Sequence, residues 1–194
     1  MGVPKGRFNG CGCYLPNSGR SAFPAFHPVC VRCDEMIKIC PFEQKYRDDM
    51  FFCMLLAKEA LGRTPSINED LFDIQGNYFR KGDMFWVAVE EERVVGMAGT
   101  RRVSSTDMWL KRLYVKPSTK RRGIGGALLA TAEDYAVAKG IASLHTRFSD
   151  DYVEAVYFYP AKGFVEDERS DGLRHFVKSL TDQSQERVLR SAKQ

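Results

Sequence analysis

The stretch LKRLYVKPSTKRRGIGGALLATAEDYA, from Leu110 to Ala136, changes character halfway. Leu110 to Lys116 alternates bulky apolar and basic residues, the period-2 pattern of a strand. Ala127 to Ala136 is built of helix formers. Between them lie Gly123, Gly125 and Gly126, preceded by Lys120, Arg121 and Arg122. The first N–H groups of a helix have no intrahelical partner, and the helix dipole places partial positive charge there. Glycine lets a ligand approach the backbone closely. A strand passing through such a loop into a helix predicts a bound phosphate or pyrophosphate. The plainer alternative is a tight strand-to-helix connection with nothing bound.

Three phosphate loops compete. The nucleotide loop G-x-x-x-x-G-K-[ST] is absent. The dinucleotide loop G-x-G-x-x-G fails because Leu128 stands three residues after Gly125, and because that loop usually follows the first strand of its unit rather than the fourth. The third pattern, [RQ]-x-x-G-x-[GA] behind a strand ending in V-x-P, fits: Lys120-Arg-Arg-Gly123-Ile124-Gly125 follows Val115-Lys-Pro117.

Outward from this loop, the chain reads as one domain over residues 36–180. MIKICPF alternates as a strand, and Glu43 to Gly62 repeats apolar residues at helical spacing. SINEDLFDIQGNYFRKG predicts a second short helix, with Ser66 as N-cap and Glu69 three residues on. MFWVAVEEERVVGMAGTRRV predicts two strands around Glu90-Glu91-Glu92-Arg93, and DMWLKRLYVK the next. A long helix to Lys139, the strand IASLHTRF, a short helix closed by Gly163 and the strand LRHFVKSL follow. The order β-α-α-β-β-β-α-β-α-β predicts an α/β fold: a mixed central sheet of six to seven strands with helices on both faces.

The flanks differ. Residues 1–35 are rich in Gly, Pro, Ser and Cys without periodicity, and residues 181–194 form a polar tail. Cys11-x-Cys13 and Cys30-x-x-Cys33 admit a small zinc site. A disordered tail, or a mis-assigned start ahead of Met36, explains the same segment with no metal, and no metal is expected. Cys40 and Cys53 sit among apolar residues and read as core thiols. The chain has 194 residues and a net charge of +4, too mild to predict nucleic-acid binding. No run of 18 apolar residues predicts a membrane span. These features predict a cytoplasmic protein with reduced cysteines.

The loop and a second stretch, AVYFYPAKGF from Ala155 to Phe164, together resemble the GCN5-related N-acetyltransferases, the GNAT superfamily. Element order is similar from Met36 to Leu180, and the motifs are specific across Leu110 to Phe164. The resemblance implies acetyl-CoA as co-substrate and a primary amine, small molecule or peptide, as acceptor, in a monomer or homodimer. It implies two strands that splay at a bulge, with the backbone of Leu113, Tyr114 and Val115 pairing with pantetheine. It implies that the segment Lys120, Arg121, Arg122, Gly123, Ile124, Gly125, Gly126 and Ala127 holds the pyrophosphate, and that Tyr159 protonates the leaving thiolate. Three positions depart from the family pattern: Lys120 replaces Arg or Gln, Tyr152 replaces an Asn that contacts CoA, and Trp109 replaces a Glu.

Residue chemistry bears on these roles. Tyrosine titrates at about 10 and a thiol at about 8.5, so Tyr159 stays protonated and can donate. It can equally pack within Tyr157-Phe158-Tyr159. Asp107 lies two residues before Trp109 on one strand face and is the candidate base. Glu90 is another, and a water chain a third. His145 is a conceivable base, with a surface or hydrogen-bonded histidine the plainer reading, and His175 adds no clearer signal. Glu69, Asp70 and Asp73 admit an acidic acceptor pocket or a solvated helix face. A non-catalytic acyl-CoA sensor of the same fold is the rival.

Overall fold

The structure, a computed structural model, describes residues 37–181 and a two-residue strand pair, Arg7–Phe8 with Tyr14–Leu15. The zinc and start-site readings of residues 1–35, and the tail beyond Thr181, lie outside the described residues. The domain runs β1 (Lys38–Pro41), α1 (Arg47–Glu59), α2 (Ile74–Asn77), β2 (Phe85–Glu90), β3 (Arg93–Arg102), β4 (Asp107–Val115), α3 (Ile124–Ala138), β5 (Ser143–Ser149), α4 (Val153–Phe158), β6 (Val165–Ser170) and β7 (Leu173–Ser179). The seven strands form one sheet in the order β1-β2-β3-β4-β5-β7-β6. Neighbours are antiparallel except β4 and β5, which are parallel.

Helices cover the sheet on both sides. Met108, Leu110, Leu144 and Phe176 pack with Leu128, Leu129 and Ala132 of α3. Phe85, Val87 and Met97 pack with Met50, Cys53 and Met54 of α1 and with Leu71 and Ile74. Strand β2 is buried on both faces, so FWVAV is apolar throughout rather than alternating. Each buried Phe or Val side chain contributes roughly 1.5–3 kcal/mol. Gly96 of β3 lets the first turn of α3 approach: a Cβ there would meet Leu128 Cδ1 at 2.9 Å and Ile124 Cγ2 at 3.0 Å.

One strand carries no sequence signal, and one expected cap is corrected. Strand β6 went unread because VEDERS has no apolar alternation; all six residues are exposed on a sheet edge held by pairing with β7. Ser66 is not the cap of the second helix, because its carbonyl and hydroxyl both accept from Lys58 Nζ, at 2.5 and 3.2 Å. Asp73 caps instead, accepting from the Gly76 amide at 2.8 Å.

Candidate functional site

The decisive geometry lies between β4 and β5. They pair only over Asp107↔Ser143, Met108↔Leu144 and Trp109↔His145. Beyond Trp109, β4 runs on to Val115 against β3 while β5 departs with β7 to Ser149. The backbone edge of Leu113, Tyr114 and Val115 that faces β5 therefore has no strand partner among the described residues. A peptide-like ligand arm laid in this split would meet the groups a missing strand would meet.

A bulge sets the split. Register shifts between Met97 and Gly99 of β3, and Arg112 opposite adopts φ 57°. Before the bulge Met108 and Leu110 face α3. After it Leu113 and Val115 do, and Tyr114 packs with the α1–α2 side. The left-handed Arg112 is anchored by Asp70, its Nη2 and Nε donating to the two carboxylate oxygens at 2.6 and 3.1 Å, while Tyr78 donates to the same carboxylate at 2.5 Å. Burial alone would raise the Asp70 carboxyl; the Arg112 and Tyr78 hydrogen bonds outweigh it and hold it below its usual value. Asp70 is thus ion-paired at the bulge, neither free for an acidic acceptor pocket nor on a solvated helix face.

At the far end of β4 the glycine loop turns into α3. Gly123 stands at the N-cap with φ 82°, a conformation that favours glycine. The Ala127 N–H donates to the Gly123 carbonyl at 3.0 Å. Ala127, expected among the phosphate donors, thus uses its amide inside the helix, and the open amides of the first turn belong to Ile124, Gly125 and Gly126. Lys120 pairs with Glu154 at 2.6 Å, and Arg122 donates to both Glu90 oxygens at 3.0 and 2.6 Å. That pairing also occupies Glu90, the second candidate base. Arg121 is exposed. A cation the sequence reading missed stands nearby: Lys162 Nζ lies 3.3 Å from where a Cβ on Gly126 would be. It enters from the turn after α4, with no spacing signal to connect it to the loop.

Tyr159 is buried on the α3 side, stacked on Phe148 at 5.3 Å, and its hydroxyl pairs with Thr146. Thr146 is the first β5 residue past the last β4 pair, so this hydroxyl sits where the strands part. Burial pushes it up to about 12, and it stays protonated at neutral pH.

The opposite face at the same level holds a chain of rings and carboxylates. Asp107 Oδ1 lies 3.0 Å from His145 Nε2, His145 Nδ1 lies 3.1 Å from His175 Nε2, and His175 Nδ1 lies 3.2 Å from Asp167. Trp109 stacks on His175 with ring centroids 5.0 Å apart. Hydrogen bonds from Ser104, Thr106 and then His145 hold the Asp107 carboxyl down at about 2. Asp107, the candidate base, is thus engaged with Ser104, Thr106 and His145 rather than open to an acceptor. The two rings thus lie within hydrogen-bond distance of each other, each with a carboxylate at its far nitrogen. Their pairing crosses strands far apart in sequence, which is why neither stood out there. Among the described residues no group of three or more His, Cys, Asp or Glu is placed to hold a metal ion, and no helix is long and apolar enough to cross a membrane.

Comparison with known proteins agrees with this geometry. The family model described as an acetyltransferase (GNAT) domain matches residues 81–166, from the end of the α2 region into β6. N-acetyltransferase 8 of Homo sapiens is 33% identical over 101 residues, 49% of this chain and 44% of that protein. The probable N-acetyltransferase camello of Xenopus laevis is 29% identical over 99 residues, 50% of this chain and 45% of that protein. The match thus spans less than half the length of these relatives. Among solved structures, a GNAT-family acetyltransferase from Staphylococcus aureus Mu50 superposes with a TM-score of 0.68 at 24% identity, over 75% of this chain and 99% of that one. The PaiA N-acetyltransferase of Thermoplasma acidophilum, in complex with coenzyme A, superposes with a TM-score of 0.63 at 18% identity, over 74% and 99%. The fold is thus that of solved GNAT acetyltransferases, and across residues 81–166 the sequence is similar to the GNAT acetyltransferase domain.

Proposed function

We propose that the protein transfers an acetyl group from acetyl-CoA to a primary amine. The observation that carries this reading is the parting of β4 from β5 after Trp109, with the open amides of Ile124, Gly125 and Gly126 at the far end of the gap. Pantetheine pairs with Leu113 to Val115, and the pyrophosphate meets the α3 amides with Lys162 and Arg121 beside them. Tyr159 and His145 stand on opposite faces of the point where the strands part. Tyr159, protonated at neutral pH and placed where the strands part, protonates the leaving thiolate. The His145–His175 pair, oriented by Asp107, takes the proton from the acceptor amine as nitrogen attacks the thioester carbon. A strand N–H near Val115 polarises the carbonyl. Unpaired thiols at Cys40 and Cys53 accord with a cytoplasmic setting.

The test is calorimetric titration of acetyl-CoA with thiol release over an amine panel. Binding with release is expected. Binding without release from any amine would favour the acyl-CoA sensor, and absence of binding would overturn the reading of the loop.

A further inference from the structure

Trp109 is ringed by cations. Lys111 Nζ lies 5.2 Å from its ring centroid and Arg147 Cζ 5.9 Å, and Arg101 is its direct partner across β3 and β4. None of the three forms an ion pair or hydrogen bond through its charged group among the described residues. Three neighbouring carboxylates are already committed: Asp70 to Arg112 and Tyr78, Asp107 to His145, Asp167 to His175. Like charges gathered without a counter-ion repel one another and destabilise the fold. Lys111 is half-buried, and burial, then Arg112, Arg147 and Arg101, lower its pKa. Such an arrangement is relieved when an anion binds.

The location narrows which anion. Met108 and Leu110 face α3, as do Leu144 and Phe148 of β5. Trp109, Lys111, His145 and Arg147 therefore lie on the other side of the sheet. The sheet separates them from the glycine loop, so the cations do not belong to the pyrophosphate site. They adjoin the histidine pair where β4 and β5 part, on the face from which an acceptor would reach the thioester. The flat Trp109–His175 stack beside them suits an apolar or planar group.

Building on the acetyltransferase reading, we propose that the acceptor is an amine that also carries a carboxylate, held by Lys111, Arg147 and Arg101 beside Trp109, rather than a polyamine. The carboxylate fixes the molecule through charge-assisted hydrogen bonds and leaves its amino group toward His145.

The experiment uses matched probes on the full chain. N-acetylphenylalanine and its amide are titrated into the protein with CoA present and absent. Thiol release is followed with phenylalanine, phenylalaninamide and spermidine. The expected result is that each carboxylate is favoured over its amide by about tenfold or more, in Kd and in KM. Lys111→Met and the exposed-site variant Arg147→Gln should each erase most of that preference while CoA affinity stays unchanged. Equal or better use of the amide or of spermidine, or a preference that survives both variants, overturns the proposal while thiol release keeps the acetyltransferase reading. Binding of the carboxylate probe that depends on Lys111, without thiol release from any amine, upholds the anion site and overturns the acetyltransferase reading instead.

Discussion

The two faces of the split between β4 and β5 are assembled in opposite ways. On the α3 face, the backbone edge of Leu113 to Val115 and the amides of Ile124 to Gly126 come from one continuous stretch of chain. Those groups are main-chain N–H and C=O, so most side-chain changes leave them intact. On the other face, Trp109, His145 and His175 arrive from three strands, and their arrangement depends on side chains meeting across the sheet. A backbone site built from one segment tolerates drift elsewhere. A side-chain site built from three strands can be retuned by single substitutions, which suits the face that selects the acceptor.

Substitutions on each face sharpen this contrast. The largest loss is expected for Tyr159→Phe, which keeps the ring stack and removes the hydroxyl: kcat should fall by roughly 10²–10⁴-fold with CoA affinity intact. An unchanged kcat would reduce Tyr159 to packing. On the same face, Gly126→Asp adds a carboxylate at the helix entrance beside Lys162, and calorimetry should register CoA binding weaker by about a hundredfold. The fold should survive, because an acidic residue in the first turn favours the helix.

Across the sheet, His145→Gln should lower kcat/KM by about a hundredfold, leaving CoA affinity unaltered. Equal losses of CoA affinity and turnover would mean the two faces are not separable. A smaller effect is expected from Asp70→Asn, which leaves the Arg112 guanidinium without its partner at the bulge. Urea unfolding should show about 1–3 kcal/mol of lost stability, with CoA binding weakened only as far as the split relaxes.

The smallest effect is on acid tolerance. The folded Asp107 carboxyl is depressed from 3.8 to about 2. Its contribution is therefore fully present above the unfolded value and is lost as pH falls through about 2. Burial and the neighbouring His145 also lower His175. The unfolded chain then binds that proton more readily, and stability declines as pH drops below the ordinary histidine value of 6.5. Denaturant midpoints measured down the pH scale should fall first with the histidine. The gap between the natural chain and Asp107→Asn should close only between about pH 4 and pH 2.

The sequence by itself determined the α/β class, the order of elements and the glycine loop. Each is a local property: strand alternation, helical spacing and the backbone freedom of Gly123 are written over a few consecutive residues. The stretch that carries Tyr159 is likewise a short local motif. What the tertiary structure decided is everything that depends on register. Arg112 falls at the bulge and reaches Asp70, which turns an apparent acidic pocket into an anchored hinge of the sheet. The parallel pairing of Trp109 with His145 brings Asp107 onto the imidazole. Lys162 meets the first turn of α3 only because α4 folds back over it. Strand β6 exists because β7 offers it an edge, with no hydrophobic period of its own. Contacts between residues distant in the chain carry no short-range period, and the physical reason is that packing, rather than local propensity, chooses which side chains meet.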